Sequence, residues 1–236
     1  NRWYAEERAH LFSTLAYAAA PTSIALRSIW PKTGNALSAA ILQKTHDQPL
    51  SVNRIVGQGS RHLFYKNTGI LYFTTFTREA PACFINGIAT PSSRETTVSF
   101  REPAHCEIMH CFLNSTTFYL MYQMHSNCRD LNPSDITSLR VPASLLDDRT
   151  IVKLSDSLWE KQRESSHFIV RMQQLTGEVR IQAFFPAKCK QAIDRVDRAL
   201  AKHYGFTDEE LDFIINYDIK YRMGLNGDGA GKEEEE

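Results

Sequence analysis

The chain has no run of about 18 apolar residues, so a membrane-spanning helix is not expected. It also has no acidic residue from Gln48 to Arg78, a stretch that contains Arg54, Arg61, Lys66 and Arg78. Its five cysteines, Cys83, Cys106, Cys111, Cys128 and Cys189, are odd in number and scattered. That argues against a disulfide framework and fits free thiols in a reducing cytoplasm. Net charge is absent too, with 27 Lys and Arg against 27 Asp and Glu. A neutral total does not decide for or against a polyanionic partner, because binding depends on local patches. No charged-then-apolar leader precedes Asn1, so the chain reads as an excised piece of a longer protein.

The 236 residues are enough to bury a sizeable core in one large or two small domains. Four of the acidic residues close the chain as Glu233 to Glu236, which leaves the remainder slightly cationic. The cationic excess is local to 48–101, with six Lys and Arg against Glu79 and Glu95, and within it lies a ribbon at 56–76 where Leu63, Tyr65, Leu71 and Phe73 alternate with polar neighbours. Asn67-Thr68-Gly69 supplies a turn there, so the pattern predicts a hairpin with one packed face and one cationic face.

Along the chain, residues 3–17 have helical spacing, 23–30 read as extended, and 36–45 read as a helix. Ala82 to Ile85 leads into Asn86-Gly87, a strong hairpin signal, and 96–100 alternates as a further strand. One apolar helix is expected over 105–124, marked by Ile108, Cys111, Phe112, Phe118, Tyr119 and Tyr122. Asn132-Pro133 is helix-start chemistry. A long helix is expected over 144–174, an extended piece over 179–185 and a helix over 188–203. Thr207 with Glu210 forms a complete capping box, and Phe206 is placed to staple on Leu211. The Gly-rich, acidic end at 226–236 reads as disordered.

Motifs for chemistry are weak. Gly57-Gln58-Gly59-Ser60 has neither a third glycine nor a following helix, so a turn before a strand explains it better than a phosphate loop. His105, Cys106, His110 and Cys111 have metal-like spacing but lack a second ligand pair, and buried thiols account for them. The acids at 208–210 start a helix. No catalytic residue and no metal ligand is assigned.

Donors for nucleic acid are better represented. Arg61, His62, Lys66 and Arg78 on the ribbon, Arg94 in the next loop and Arg129 further on can reach phosphates and base edges. Asn67, Gln123 and Asn127 have the chemistry to read adenine, and Arg78 or Arg94 that to read guanine. The structural alternative is a solvated surface on an ordinary α+β domain.

The run 193–224, through Asp197-Arg198-Ala199-Leu200, His203-Tyr204-Gly205-Phe206 and Tyr221-Arg222-Met223, resembles the ending of Eco57I-like adenine-specific DNA methyltransferases from restriction-modification systems. Trp3-Tyr4 with Arg8, Leu11-Phe12 and Tyr17 resembles the segment that follows their catalytic domain. Trp30-Pro31-Lys32-Thr33-Gly34-Asn35 resembles their Pro-Lys-x-Gly-Asn turn. The ribbon, then Asn86-Gly87, Pro91-Ser92-Ser93, Leu113-Asn114-Ser115 and Asn127-Cys128-Arg129-Asp130-Leu131, resemble their TaqI-like target-recognition region. The glycine-containing S-adenosylmethionine motif and the Asn-Pro-Pro-Tyr loop are absent, since Asn132-Pro133-Ser134 lacks the second proline and the aromatic.

The resemblance implies a specificity part that grips double-stranded DNA in the cytoplasm, while an upstream catalytic domain flips and methylates an adenine with S-adenosylmethionine. The chain alone is expected to be inactive and to hold no cofactor. The expected fold class is α+β, a small mixed or antiparallel sheet with flanking helices and a helical C-terminal part. The expected segments are a connector at 1–50, a recognition region at 51–140, a helical region at 141–225 and the tail. The DNA-binding candidates are Arg61, Lys66, Asn67, Arg78, Ser93, Arg94, Asn127 and Arg129. The rival expectation is a protein-interaction module that docks another subunit through the helix at 144–174.

Overall fold

The computed structural model describes residues 5–10, 12–13, 30–68, 74–92 and 95–223. The expectations for 23–29 and 71–73, for Ser93 and Arg94, for the tail and for most of the helix at 3–17 lie outside the described residues. In chain order the elements are α1 (Ala36–His46), β1 (Leu50–Ser51), β2 (Val56–Lys66), β3 (Cys83–Ile85), β4 (Ile88–Ala89) and β5 (Glu95–Phe100). Then come α2 (Pro103–Asn114), α3 (Thr116–His125), α4 (Pro133–Thr137), β6 (Arg140–Val141) and α5 (Arg149–Ser165). β7 (His167–Gln173), β8 (Gly177–Ala183), α6 (Lys190–Tyr204), α7 (Asp208–Asn216) and α8 (Ile219–Met223) follow.

Helices and small antiparallel sheets are mixed along the chain. Among the described residues β1 pairs with β6, β2 with β5, and a four-stranded sheet runs β4-β3-β8-β7. Asn86 and Gly87, with φ of 50° and 81°, form the two-residue turn that closes β3 on β4, as their dipeptide predicts. The long strand β2 finds its partner 29 or more positions on, with Leu63 opposite Val98 and Lys66 opposite Glu95. A bridge between Phe64 and Thr77 ties the other edge of β2 to the segment just past the expected hairpin, whose returning residues 71–73 lie outside the described ones.

The helix expected over 105–124 is two helices. Ser115, at φ −73° and ψ 161°, ends α2, and its Oγ accepts the Phe118 N–H at 3.0 Å to cap α3. Both helices are apolar nearly all round, as befits the centre of a core. The expected helix at 144–174 is also divided. Asp148 caps α5 by accepting the Thr150 N–H at 2.6 Å, and past Ser165-Ser166 the chain becomes strand β7. Ile169 and Met172 fit a helical stripe, but β7 pairs along its whole length with β8 through the Gly177 turn at φ +79°. The ladder bonds alternate residues of β7 to β8 and leaves the other edge of β7 open.

Most of the core is one cluster. Leu63, Tyr65, Phe76 and Phe100 from the ribbon meet Phe112 of α2, Leu158 of α5 and Leu200 of α6, each at most 1% exposed. Full burial of such side chains stabilises by roughly 1.5–3 kcal/mol each. This cluster draws residues from both sides of the segment boundary expected at 140, and β3 pairs with β8 across it as well. A smaller cluster of Ile41, Leu42, Leu120, Met124 and Ile214 seats α1 on α3 and α7. Lys44 of α1 donates to Gly205 O at 2.8 Å and to Glu210 at 2.6 Å. Glu210 also accepts the Thr207 N–H at 2.7 Å, which completes the expected capping box. Phe206 stacks on Tyr204 with ring centroids 5.2 Å apart.

Candidate nucleic-acid interface

The ribbon β2–β5 packs Leu63 and Tyr65 inward and leaves Arg61 and His62 exposed, with His62 edge-on to Phe64 at 5.1 Å. Its cations fall into three situations. Lys66 stands across the ladder from Glu95, whose carboxyl is raised by burial while Lys66 draws it down. Arg78 is clamped, with Nη2 2.9 Å from Glu107 and Nη1 2.6 Å from Asp156. Its guanidinium joins α2 to α5 and has little freedom to read a base. Arg61 stands with Arg54 and Arg101 at the other end of the ribbon, all three exposed.

That end is shaped by a bulge. Val56 and Arg61 are both opposite Phe100, so residues 57–60 have no partner on β5. A Cβ at Gly59 would fall 1.8 Å from the Phe100 carbonyl oxygen, so the loop passes too close for any side chain. A Cβ at Gly57 would lie 3.0 Å from the Arg101 guanidinium carbon, which places that side chain over the glycine. The Arg101 N–H donates to Ile55 O at 3.0 Å, which brings Arg54 and Arg101 to either side of one backbone bond. A hollow of about 260 Å³ adjoins the bulge, lined by Gln58, Tyr65, Thr97, Ser99, Pro133 and Ile136 among others. Gly57 and Gly59 are thus the glycines of a bulge within β2, not a turn ahead of it. A Gly-x-Gly pattern inside alternating residues was the available sequence signal.

The far end of β2 meets a second loop. The Leu131 N–H donates to Asn67 O at 2.9 Å, bringing 127–131 against the ribbon tip. Asn127 folds onto its own backbone, its Oδ1 accepting the Arg129 N–H at 2.9 Å and the Asp130 N–H at 3.1 Å. The side chain of Arg129 is 86% exposed, with Nε 4.0 Å from Asp130. Lys32, from the Pro-Lys turn, holds this loop by donating to Ser126 O at 2.6 Å. The structure therefore brings Lys66, Asn67, Asn127 and Arg129 to one tip. Arg61 lies at the other end, about 17 Å away by strand rise.

The remaining constellations are structural. His110 is buried between Ser155, 2.9 Å from Nδ1, and Gln162, 3.0 Å from Nε2, and burial holds its pKa down at about 4. Gln162 passes the contact to Asn114 at 3.2 Å, which donates to Phe76 O at 2.9 Å. Ser155 Oγ also lies 3.2 Å from Glu107, and its single proton serves one acceptor at a time. Burial pushes the Cys106 thiol up to about 12 and Cys111 higher still, so both are neutral. Among the described residues no group of three metal-capable side chains forms. Ser144, His203 and Asp148 stand in a row, 2.9 Å and 2.8 Å apart. Burial raises the Asp148 pKa, but hydrogen bonds from His203 and Thr150 outweigh that and hold it low. The row ties the start of α5 to the end of α6, and helix capping accounts for each contact.

Among the described residues no helix is long and apolar enough to cross a membrane. Comparison with known proteins gives no match: no family model fits the chain, and no curated protein and no solved structure matches it.

Proposed function

We propose that this chain is the DNA-recognition part of an adenine-N6 methyltransferase of a restriction-modification system, holding duplex DNA for a catalytic part outside these residues. The observation that carries the reading is the group of exposed Arg54, Arg61 and Arg101, for which no carboxylate partner appears among the described residues. Exposed guanidinium groups without a carboxylate partner supply the sequence-independent share of DNA affinity. The tip formed by Lys66, Asn67, Asn127 and Arg129 is the candidate for reading base edges. The enzyme class comes from the resemblance of the run 193–224 and its companions. The glycines at 57 and 59 build a bulge inside a continuing strand, not a loop opening on a helix. The cofactor belongs to the catalytic part.

A mobility-shift assay with the full chain and duplex DNA at low salt tests the reading. Retardation that fades as salt rises is expected, and none at micromolar chain would overturn it. Calorimetry with S-adenosylmethionine should show no heat of binding.

One observation favours the second reading, a module that docks another subunit, and it changes where docking would occur. Helix α5 is packed on α2 and α6, whereas the β7–β8 hairpin exposes Val170 at 56%, Met172 at 78% and Leu175 at 100%. If the methyltransferase part docks there, Val170→Lys with Met172→Lys abolishes that association and leaves DNA retardation intact.

A further inference from the structure

We propose that the open edge of β7 pairs with the same edge of a second copy of this chain, joining two four-stranded sheets across a two-fold axis at Val170. Such pairing is independent of DNA binding. It gives the exposed β7–β8 hairpin to a second copy rather than to a different subunit.

Among the described residues no strand lies beyond β7 in its sheet. Proline and bulges are the usual devices that keep an edge from pairing, and the seven residues of β7 have neither, their register with β8 being unbroken. On β8 the Gln182 N–H donates to Ala82 O at 2.8 Å, and Glu178 O accepts the Asn86 N–H at 2.8 Å. Even-numbered residues of β8 therefore turn their backbone groups to β3. Backbone direction alternates along a strand, so the odd-numbered residues face β7, where their partners are His167, Ile169, Arg171 and Gln173. That leaves the N–H and C=O of Phe168, Val170 and Met172 pointing out of the sheet edge. Their side chains are 37%, 56% and 78% exposed, on the face where Arg180 stands 4.3 Å over the Phe168 ring. Cys83 and Val179 are buried on the other face.

The edge is its own complement. Antiparallel pairing of two such edges brings donors to acceptors only where even-numbered residues meet even-numbered residues. Centred on Val170, the pairing sets Phe168 against Met172 of the second copy and Val170 against Val170, with about six hydrogen bonds between the chains. The two exposed apolar stripes then join, with a thioether beside an aromatic ring at each end. The same register sets Arg171, the one Arg, Lys, Asp or Glu in β7, against Ile169. Moving the centre to Arg171 would oppose two guanidinium groups. Moving it to Ile169 would set Arg171 against His167 and leave Met172 with no strand residue opposite. Growth stops at two chains, because the far edge of the sheet is β4, only two residues long. One strand edge lies at the small end of the roughly 1,200–2,000 Å² that specific interfaces bury, so the dimer is weak and forms at micromolar chain.

The test is sedimentation velocity of the full chain from low micromolar to submillimolar concentration. The apparent mass should rise from that of one 26.9 kDa chain to twice that. Val170→Lys, which opposes two ammonium groups across the two-fold axis, should weaken association by about tenfold or more. Val170→Pro should do the same, because the Val170 N–H it removes makes no bond to β8. Ile88→Lys, at the far edge, should leave association unchanged. Thermal melts that match the parent chain keep the variants interpretable. In a Cys128→Ser background, Val170→Cys should give a disulfide-linked dimer under a mild oxidant, and Met172→Cys should not, since it meets Phe168. A chain that stays monomeric throughout overturns the proposal, even if its hairpin then captures a separate catalytic part. So does a dimer that survives both Val170 variants, or one that links through Met172→Cys and not through Val170→Cys.

Discussion

The carboxylate of Asp197 on α6 accepts the backbone N–H of Thr117 at 2.9 Å, joining positions 80 residues apart. It also accepts the Thr116 N–H at 3.0 Å and the Thr117 hydroxyl at 2.9 Å, so one buried anion satisfies the opening of α3. Nearby Arg222 is buried, donates to the Thr116 hydroxyl and stands 4.9 Å from the Tyr119 ring. Asp197→Ala leaves those donors and that guanidinium uncompensated. The expected loss is on the order of 3 kcal/mol, read from urea unfolding. Asp197→Asn should cost less, because its amide oxygen still accepts from the helix start.

Arg78 is held between two carboxylates, so its replacement should be felt first in stability. Its guanidinium bridges Glu107 and Asp156, and the arginine side chain is 18% exposed. Arg78→Ala should lower stability by roughly 1–2 kcal/mol, because the Asp156 half of the clamp is open to water and screened. The slope of DNA affinity against salt should stay unchanged. Arg78→Lys would restore only part of the stability, since one ammonium cannot reproduce a two-carboxylate fork.

His110 makes the fold sensitive to acid. Burial, aided by Arg78, holds its pKa at about 4, below the ordinary 6.5, while the Gln162 hydrogen bond pulls the other way. The unfolded chain therefore takes up a proton first. Stability is fully present above pH 6.5 and is lost as pH falls toward 4, by on the order of 3 kcal/mol. Urea melts at pH 7 and pH 4.5 should differ accordingly, and His110→Gln should flatten the difference.

The thiols should separate by reach. Cys83, Cys106, Cys111 and Cys189 are buried, and Cys128 is half-exposed in the loop after α3. A thiol-specific reagent at neutral pH should modify Cys128 first, the other four reacting only as denaturant is added. Rapid modification of several thiols in the folded chain would contradict the burial described.

Local chemistry was the legible part of the sequence. Asn86-Gly87 makes its hairpin, and Thr207 with Glu210 makes its capping box, because both interactions close within four residues. Phe206 was less legible, since its stacking partner Tyr204 lies on the preceding helix turn. The ribbon's pairing was harder still. Alternation shows that residues 63 and 65 face a core, but nothing local says that Val98, 35 positions on, lies beside Leu63. The apolar spacing of Ile169 and Met172 suits helix and strand alike over so short a span, and the distant partner β8 decides. At the site, Arg61 could be read as exposed from its place at the end of the alternation. Arg78 could not be read as clamped, because Glu107 and Asp156 arrive from two helices far along the chain.

The pairing of β3 with β8 has a kinetic consequence. Residue 83 meets residue 181 in that ladder, and Met223 completes the core begun by Val52. During synthesis, then, the early strands leave the ribosome long before their partners exist, with β3 and the apolar faces of α2 and α3 bare. Such a topology folds late and slowly and exposes sticky edges meanwhile. A chain halted at residue 140 would be an aggregating intermediate rather than a smaller protein. Both buried clusters close only once the last helices have joined the elements before them, α1 included.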